Sequence, residues 1–117
     1  MQNIKNLEVY KRAHILALNI YKVTKVFPES EKFGLVNQMK RAAVSINSNL
    51  CEGGARNNDK EYRHFIGISQ GSAAELEYQI TLSKDLGFLE QDIADKLMDE
   101  TGQILKMLIG LRLSVKD

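Results

Sequence analysis

The sequence predicts an all-α protein, a single antiparallel up-and-down four-helix bundle over residues 1–117. Three observations carry that reading: apolar residues recur at helical spacing in four long stretches, no stretch alternates as a strand would, and the breaks between stretches are short. The chain of 117 residues is 44% hydrophobic, enough to bury a core without disulfide or metal support, and one domain is expected.

The first helix is expected over about Leu7 to Phe27, with Tyr10, Ala13, Ala17, Ile20, Tyr21 and Thr24 on its core face. Pro28, the single proline, stops it because the ring excludes helical continuation. Ser30 suits an N-cap, and a second helix from about Glu31 to Gly53 buries Leu35, Val36, Met39, Ala42, Ala43, Ile46 and Leu50. Gly53 and Gly54 are expected to end it through a left-handed cap.

Asn58 and Glu61 have the spacing of a capping box and open the third helix. Its core face is Tyr62, Phe65, Ile66, Ser69, Ala73, Leu76 and Ile80, and Gly87 closes it, with Lys84 near its negative end. The fourth helix, about Glu90 to Val115, carries Ile93, Leu97, Ile104, Leu108 and Leu111.

Several large apolar residues fall off these faces. Ile15, Leu18 and Val26 lie opposite the core stripe of the first helix, Phe33, Val44 and Cys51 flank that of the second, and Met98, Leu105 and Ile109 that of the fourth. The outer side of the third helix carries Gly67, Gly71 and Ala74, whose size lets another backbone approach. A monomer rarely leaves such stripes in water, so a homo-oligomer is expected, with Ile15, Leu18, Val44, Gly67 and Gly71 at the subunit interface.

Chemistry-bearing constellations are sparse. His14 and His64 lack a Cys or carboxylate at i+3 or i+4, so no metal site is expected. Ser45 and Ser48 have no paired base. Glu52, Glu75 and Glu77 lack the Glu-x-x-His pattern of bundle metal sites, and Gly53-Gly54 lacks the spacing of a nucleotide-binding loop. No catalytic residue and no cofactor is assigned, and an enzyme is not expected. The single cysteine cannot form an intrachain bridge, the N-terminus has no signal-peptide pattern and no apolar run reaches about 18 residues, so a cytoplasmic chain with no membrane partner is expected.

Charge is uneven beneath a net +1. Residues 1–63 hold eleven Lys/Arg against six Asp/Glu, and residues 64–117 hold five against nine. Ordinary solvated faces and intrachain or intersubunit attraction account for this, and so does a polyanion partner. Lys40 and Arg41 on the second helix, with Arg56, Lys60 and Arg63 at the turn into the third, form the candidate nucleic-acid surface. The alternative is that these cations pair with Asp59, Glu61 or acidic residues of the fourth helix. The lack of a dense aromatic platform points to recognition of backbone or shape rather than base sequence.

The stretch Gln38-Met-Lys-Arg-Ala-Ala-Val-Ser-Ile-Asn-Ser-Asn-Leu-Cys-Glu-Gly-Gly-Ala-Arg56 resembles the signature of a bacterial family, the four-helix bundle proteins also called 23S rRNA intervening-sequence proteins. The resemblance extends to Leu7-Glu-Val-Tyr with Ala13-His14, Phe27-Pro28 with Gly34-Leu35, Gly71-Ser-Ala-Ala-Glu-Leu-Glu and Lys106-Met-Leu-Ile-Gly-Leu. Asn47 departs from the proline of many relatives, and Leu50-Cys51 from their usual Ile-Ala. The resemblance implies an antiparallel bundle assembled as a ring, typically a homopentamer, with no established enzymatic activity. A related bundle, the accessory protein of diversity-generating retroelements, works with a reverse transcriptase and nucleic acid. The function expected is therefore a non-enzymatic oligomer that binds nucleic acid, RNA before DNA. The alternative is an oligomeric scaffold whose partner is another protein.

Overall fold

The computed structural model describes residues 3–116. A short 3-10 turn, Ile4–Asn6, leads into α1 (Glu8–Thr24), and a second, Glu29–Glu31, precedes α2 (Leu35–Gly54), α3 (Asp59–Asp85) and α4 (Gln91–Ser114). Each helix packs on its neighbours in the chain, and α1 also meets α4, which closes a square with α1 diagonal to α3. With short connections between successive helices, the arrangement is up-and-down, and the body measures 43 × 24 × 20 Å.

The helix boundaries have local causes. Pro28 ends the first segment as expected, but α1 stops at Thr24, whose hydroxyl turns back to the Ile20 carbonyl at 2.7 Å. Ser30 does not cap α2. It lies within the 3-10 turn, and Gly34 occupies the N-cap position, because residues beyond Pro28 form their own tight turn before the helix starts. Asn58 does cap α3, accepting a hydrogen bond from the Glu61 amide at 3.0 Å. At the other end Gly87, at φ +83°, adopts the left-handed conformation that lets the Phe88 amide reach the Ser83 carbonyl at 2.9 Å.

α2 ends at Gly54, as expected, but not through a left-handed cap: Gly53 and Gly54 are the last residues of the helix, both are buried, and their φ angles are negative. The reason for glycine is contact. A Cβ at Gly53 would stand 2.7 Å from the Phe65 Cβ and 3.1 Å from Tyr62 Cδ1, so α2 and α3 cross here at backbone range. Further along, the pair is pinned by Ser69 donating to the Ile46 carbonyl (2.8 Å), by Ser45 and Ser72 (2.8 Å) and by Ser83 against the Met39 sulfur (3.3 Å).

The core otherwise follows the helical periodicity, with three exchanges. On α1 the buried stripe is Val9, Ala13, Leu16, Ile20 and Thr24, centred on Leu16, so Tyr21 turns outward and is 44% exposed. On α4, Ala94 and Thr101 enter the core and Ile93 is exposed. Met98 and Leu105 are half-buried against the core rather than left outside. The α1–α4 seam is closed by a polar clasp: Arg12 meets Glu100 through Nε and Nη2, both at 2.9 Å, and donates to Gln103 Oε1 at 2.6 Å. The Glu100 hydrogen bond pushes the pKa of the Arg12 guanidinium further above its ordinary value. Phe27 and Phe88, with ring centroids 5.5 Å apart, join the two connections at the opposite end from the α2–α3 turn.

The glycine contact gives a direct test. Gly53→Ala is expected to cost roughly 1–3 kcal/mol in urea unfolding, because Phe65 Cβ is fixed by its own backbone. Gly110→Ala, where a Cβ meets open space, is expected to be neutral or to stabilise by up to about 1 kcal/mol.

Candidate nucleic-acid interface

The five cations named from sequence separate into two places. Lys40 and Arg41 sit in the first half of α2, and Arg56, Lys60 and Arg63 at the α2–α3 turn, about 22 Å further along the axis at 1.5 Å per residue. They do not make one surface on a single protomer.

The first place is a furrow between α1 and α2. Tyr10, His14, Ala17 and Tyr21 follow one another at helical spacing along α1, facing Ala43, Val44, Asn47, Ser48 and Cys51 of α2. Alanines at 13, 17 and 43 keep the floor low. Two depressions of about 430 and 380 Å³ share Val44 and Ser48 and so form one continuous channel. At its outer end, Lys40 Nζ lies 4.7 Å from the centroid of the exposed Tyr21 ring. Arg41 is exposed beside it, with Asn37 and Ser48 supplying amide and hydroxyl groups. At the inner end, Asn47 Nδ2 donates to the Tyr10 carbonyl at 2.9 Å. Asn47 Oδ1 is buried without a partner among the described residues.

The second place is held mainly by its own neighbours. Arg56 is ion-paired to Glu52 at 2.6 Å, stands 3.9 Å from Glu61 and lies 5.2 Å from the Phe65 ring centroid. Here the expected alternative of carboxylate pairing describes the observed geometry. Arg63 donates through Nη1 to the carbonyls of Arg112 and Val115, the latter at 2.9 Å, and so caps the end of α4. Lys60 is exposed one turn earlier on α3.

The candidate subunit contacts also divide. Leu18 (57% exposed) forms the crest of α1; Ile15 (54%) faces the α4 side beside Arg12 and Glu100; Val44 (43%) lies in the furrow on the other flank. Gly71 has open space around it, but Gly67 is covered within the chain by the Arg112 guanidinium. His64 is exposed with its ring edge-on to Phe65. Among the described residues no cluster of three or more His, Cys, Asp or Glu is placed to hold a metal, and no helix is long and apolar enough to cross a membrane.

One residue of the furrow, Tyr21, is expected in the core from its spacing and is instead turned outward, because the buried stripe of α1 is centred on Leu16. The Arg12–Glu100 pair on the other flank of α1 joins residues 88 apart, which no local spacing reveals.

The profile of the family described as 23S rRNA-intervening sequence protein matches residues 5–110. The chain belongs to that family. Among solved structures it is similar to one from Bacteroides thetaiotaomicron, described as a protein with unknown function from the S23 ribosomal protein family. The identity is 21% and the TM-score 0.82, covering 89% of this chain and 97% of the other, which establishes a shared fold. No curated protein matches the chain.

The double hydrogen bond from Arg63 generates a prediction about this family member's last helix. Arg63→Ala is expected to cost about 1 kcal/mol in thermal or urea unfolding and to speed amide exchange in the final turn of α4. Unchanged exchange there would show that the cap contributes nothing.

Proposed function

We propose that this chain is a non-enzymatic, self-associating helical bundle that binds RNA along the basic flank of α2. The observation that carries this reading is the outer end of the α1–α2 furrow, where Lys40, Arg41 and the exposed Tyr21 ring stand together over a channel edged by Asn37 and Ser48. Two cations suit phosphates, an exposed ring offers a stacking face for one base, and the amide and hydroxyl groups suit ribose or base edges. Lys40 is laid on an aromatic ring and Arg41 is open to solvent, whereas Arg56 is occupied by Glu52. The family's description ties it to ribosomal RNA and favours RNA over DNA. With one exposed ring at the furrow's outer end, recognition is of backbone and shape, with little sequence preference.

Self-association is supported by the exposed apolar side chains of α1, since a partner seated on Leu18 at its crest and Ile15 on its α4 side would cover both and leave the furrow open. Repetition of the basic flank around the pentameric ring that the family resemblance implies would multiply phosphate contacts without new side chains. A second reading, docking of a protein partner on an apolar surface, is favoured by the 81% and 87% exposure of Val26 and Phe33 in the connection between α1 and α2. The two readings differ in salt dependence, because counterion release weakens RNA binding steeply and leaves apolar docking nearly unchanged.

Titration with single-stranded RNA, structured RNA and duplex DNA at two salt concentrations separates them. RNA binding that falls steeply with salt is expected, with Arg41→Ala several-fold weaker and Arg56→Ala closer to wild type. Absence of wild-type binding at low salt, or equal binding by Arg41→Ala, leaves the protein-partner reading ahead. In light scattering at micromolar concentration the wild type is expected to run as an oligomer and Leu18→Glu as a smaller species. A monomeric wild type contradicts self-association.

A further inference from the structure

Arg112 belongs to none of the surfaces anticipated from sequence. It lies in the last turn of α4, and its guanidinium crosses over Gly67 of α3: Cζ, Nη2 and Nη1 stand 3.1, 3.2 and 3.3 Å from where a Cβ at that position would be. Three nearly equal distances place the plane of the group flat on the helix. Any larger residue at 67 would lift it.

One face of the guanidinium is therefore seated on backbone while its N–H edges point away from it. Those edges have no acceptor and no carboxylate among the described residues, where the ion pairs are Arg12–Glu100, Lys32–Glu29 and Arg56 with Glu52 and Glu61. The local field is also relieved of its usual negative contribution. A helix C-terminus is partly negative, but here Arg63 binds the carbonyls of Arg112 and Val115 and offsets it. Lys60 lies on the same stripe of α3 as Arg63 and Gly67, two turns before the glycine, and Lys116 follows directly after Val115; both are exposed.

We infer that Arg112, with Lys60 and Lys116, forms a second RNA phosphate site on the α3–α4 side of the bundle, opposite the α1–α2 furrow; this rests on the reading that the chain binds RNA. A planar guanidinium fixed on one face, with its donor edges open, suits bidentate contact with a phosphate, and the two lysines supply charge without fixed geometry. Because α1 is diagonal to α3, the two sites lie on opposite sides of a body about 20 Å thick. One chain thereby holds two RNA segments, or one segment that wraps around the end of the bundle.

The test is a fluorescence-anisotropy titration with a labelled single-stranded RNA of about 20 nucleotides, over a salt series starting near 50 mM. It compares wild type with Arg112→Gln, Arg41→Gln and Lys96→Gln. The last removes the same charge on the α1–α4 side, outside both sites. Arg112→Gln is expected to weaken binding by about threefold to tenfold and to reduce the salt slope by about 0.7, the contribution of one phosphate on single-stranded nucleic acid. Lys96→Gln is expected to match wild type. If Arg112→Gln falls no further than Lys96→Gln while Arg41→Gln is impaired, the second site is wrong and the furrow stands. If wild type does not bind at the lowest salt, the RNA reading itself fails, and this site with it.

Discussion

The close crossing of α2 and α3 at Gly53 is the constraint on which the rest of the bundle depends. With no side chain at 53, the helices meet at backbone range against Tyr62 and Phe65, and hydroxyl groups at 69, 72 and 83 then fix their register along the remaining length. Serines suit that seam because they are small and the hydroxyls of Ser69, Ser72 and Ser83 each find a partner across or along it. A rigid α2–α3 pair orients every other surface of α2. Its opposite flank must face α1, and because that flank is built of Ala43, Val44, Asn47 and Ser48, α1 settles over it leaving a furrow rather than a filled seam.

The attachment of α1 differs in kind. Its apolar stripe, centred on Leu16, enters the common core, and its α4 side is closed by the Arg12–Glu100–Gln103 clasp. A partly buried bidentate arginine–carboxylate pair is directional, so it fixes the rotation of α1 about its own axis as well as its position. That rotation carries Tyr21 out of the core and over Lys40, and it raises Leu18 to the crest. The aromatic and cationic end of the furrow and the exposed apolar ridge are thus two results of one helix orientation. Tyr62, at the α2–α3 crossing, shows the cost of the tight packing there: its hydroxyl is buried without a partner among the described residues, and burial pushes its pKa upward.

Much of the fold was legible because it is periodic. Helix number, the Asn58 cap and the Gly87 terminus each follow from local residues, and the structure contains all three, whereas α1 ends at Thr24, a turn before Pro28. What escaped depends on contacts between distant segments. Gly53 and Gly54 do mark the helix end, but the left-handed cap expected of them is absent, and the demand for glycine at 53 comes from Phe65 across the hairpin. Gly67 read as a site for another subunit and is filled by Arg112, 45 positions later in the sequence. The candidate site was half legible for the same reason. The cations were visible as residue types, but whether each faces a carboxylate, a ring, a carbonyl or solvent is a tertiary fact, and it separates Arg56 and Arg63 from Arg41.

RNA bound as proposed in the α1–α2 furrow lies against Tyr21 and Lys40 at its mouth. Photocrosslinking of a 4-thiouridine-substituted single-stranded RNA to the wild-type protein, followed by mass spectrometry of the crosslinked peptides, reads out that position. Nucleotide adducts are expected on Tyr21 and on the α2 segment that carries Lys40 and Arg41. Adducts confined to peptides outside α1 and α2, or none at a low salt concentration where the RNA is bound, would contradict that placement.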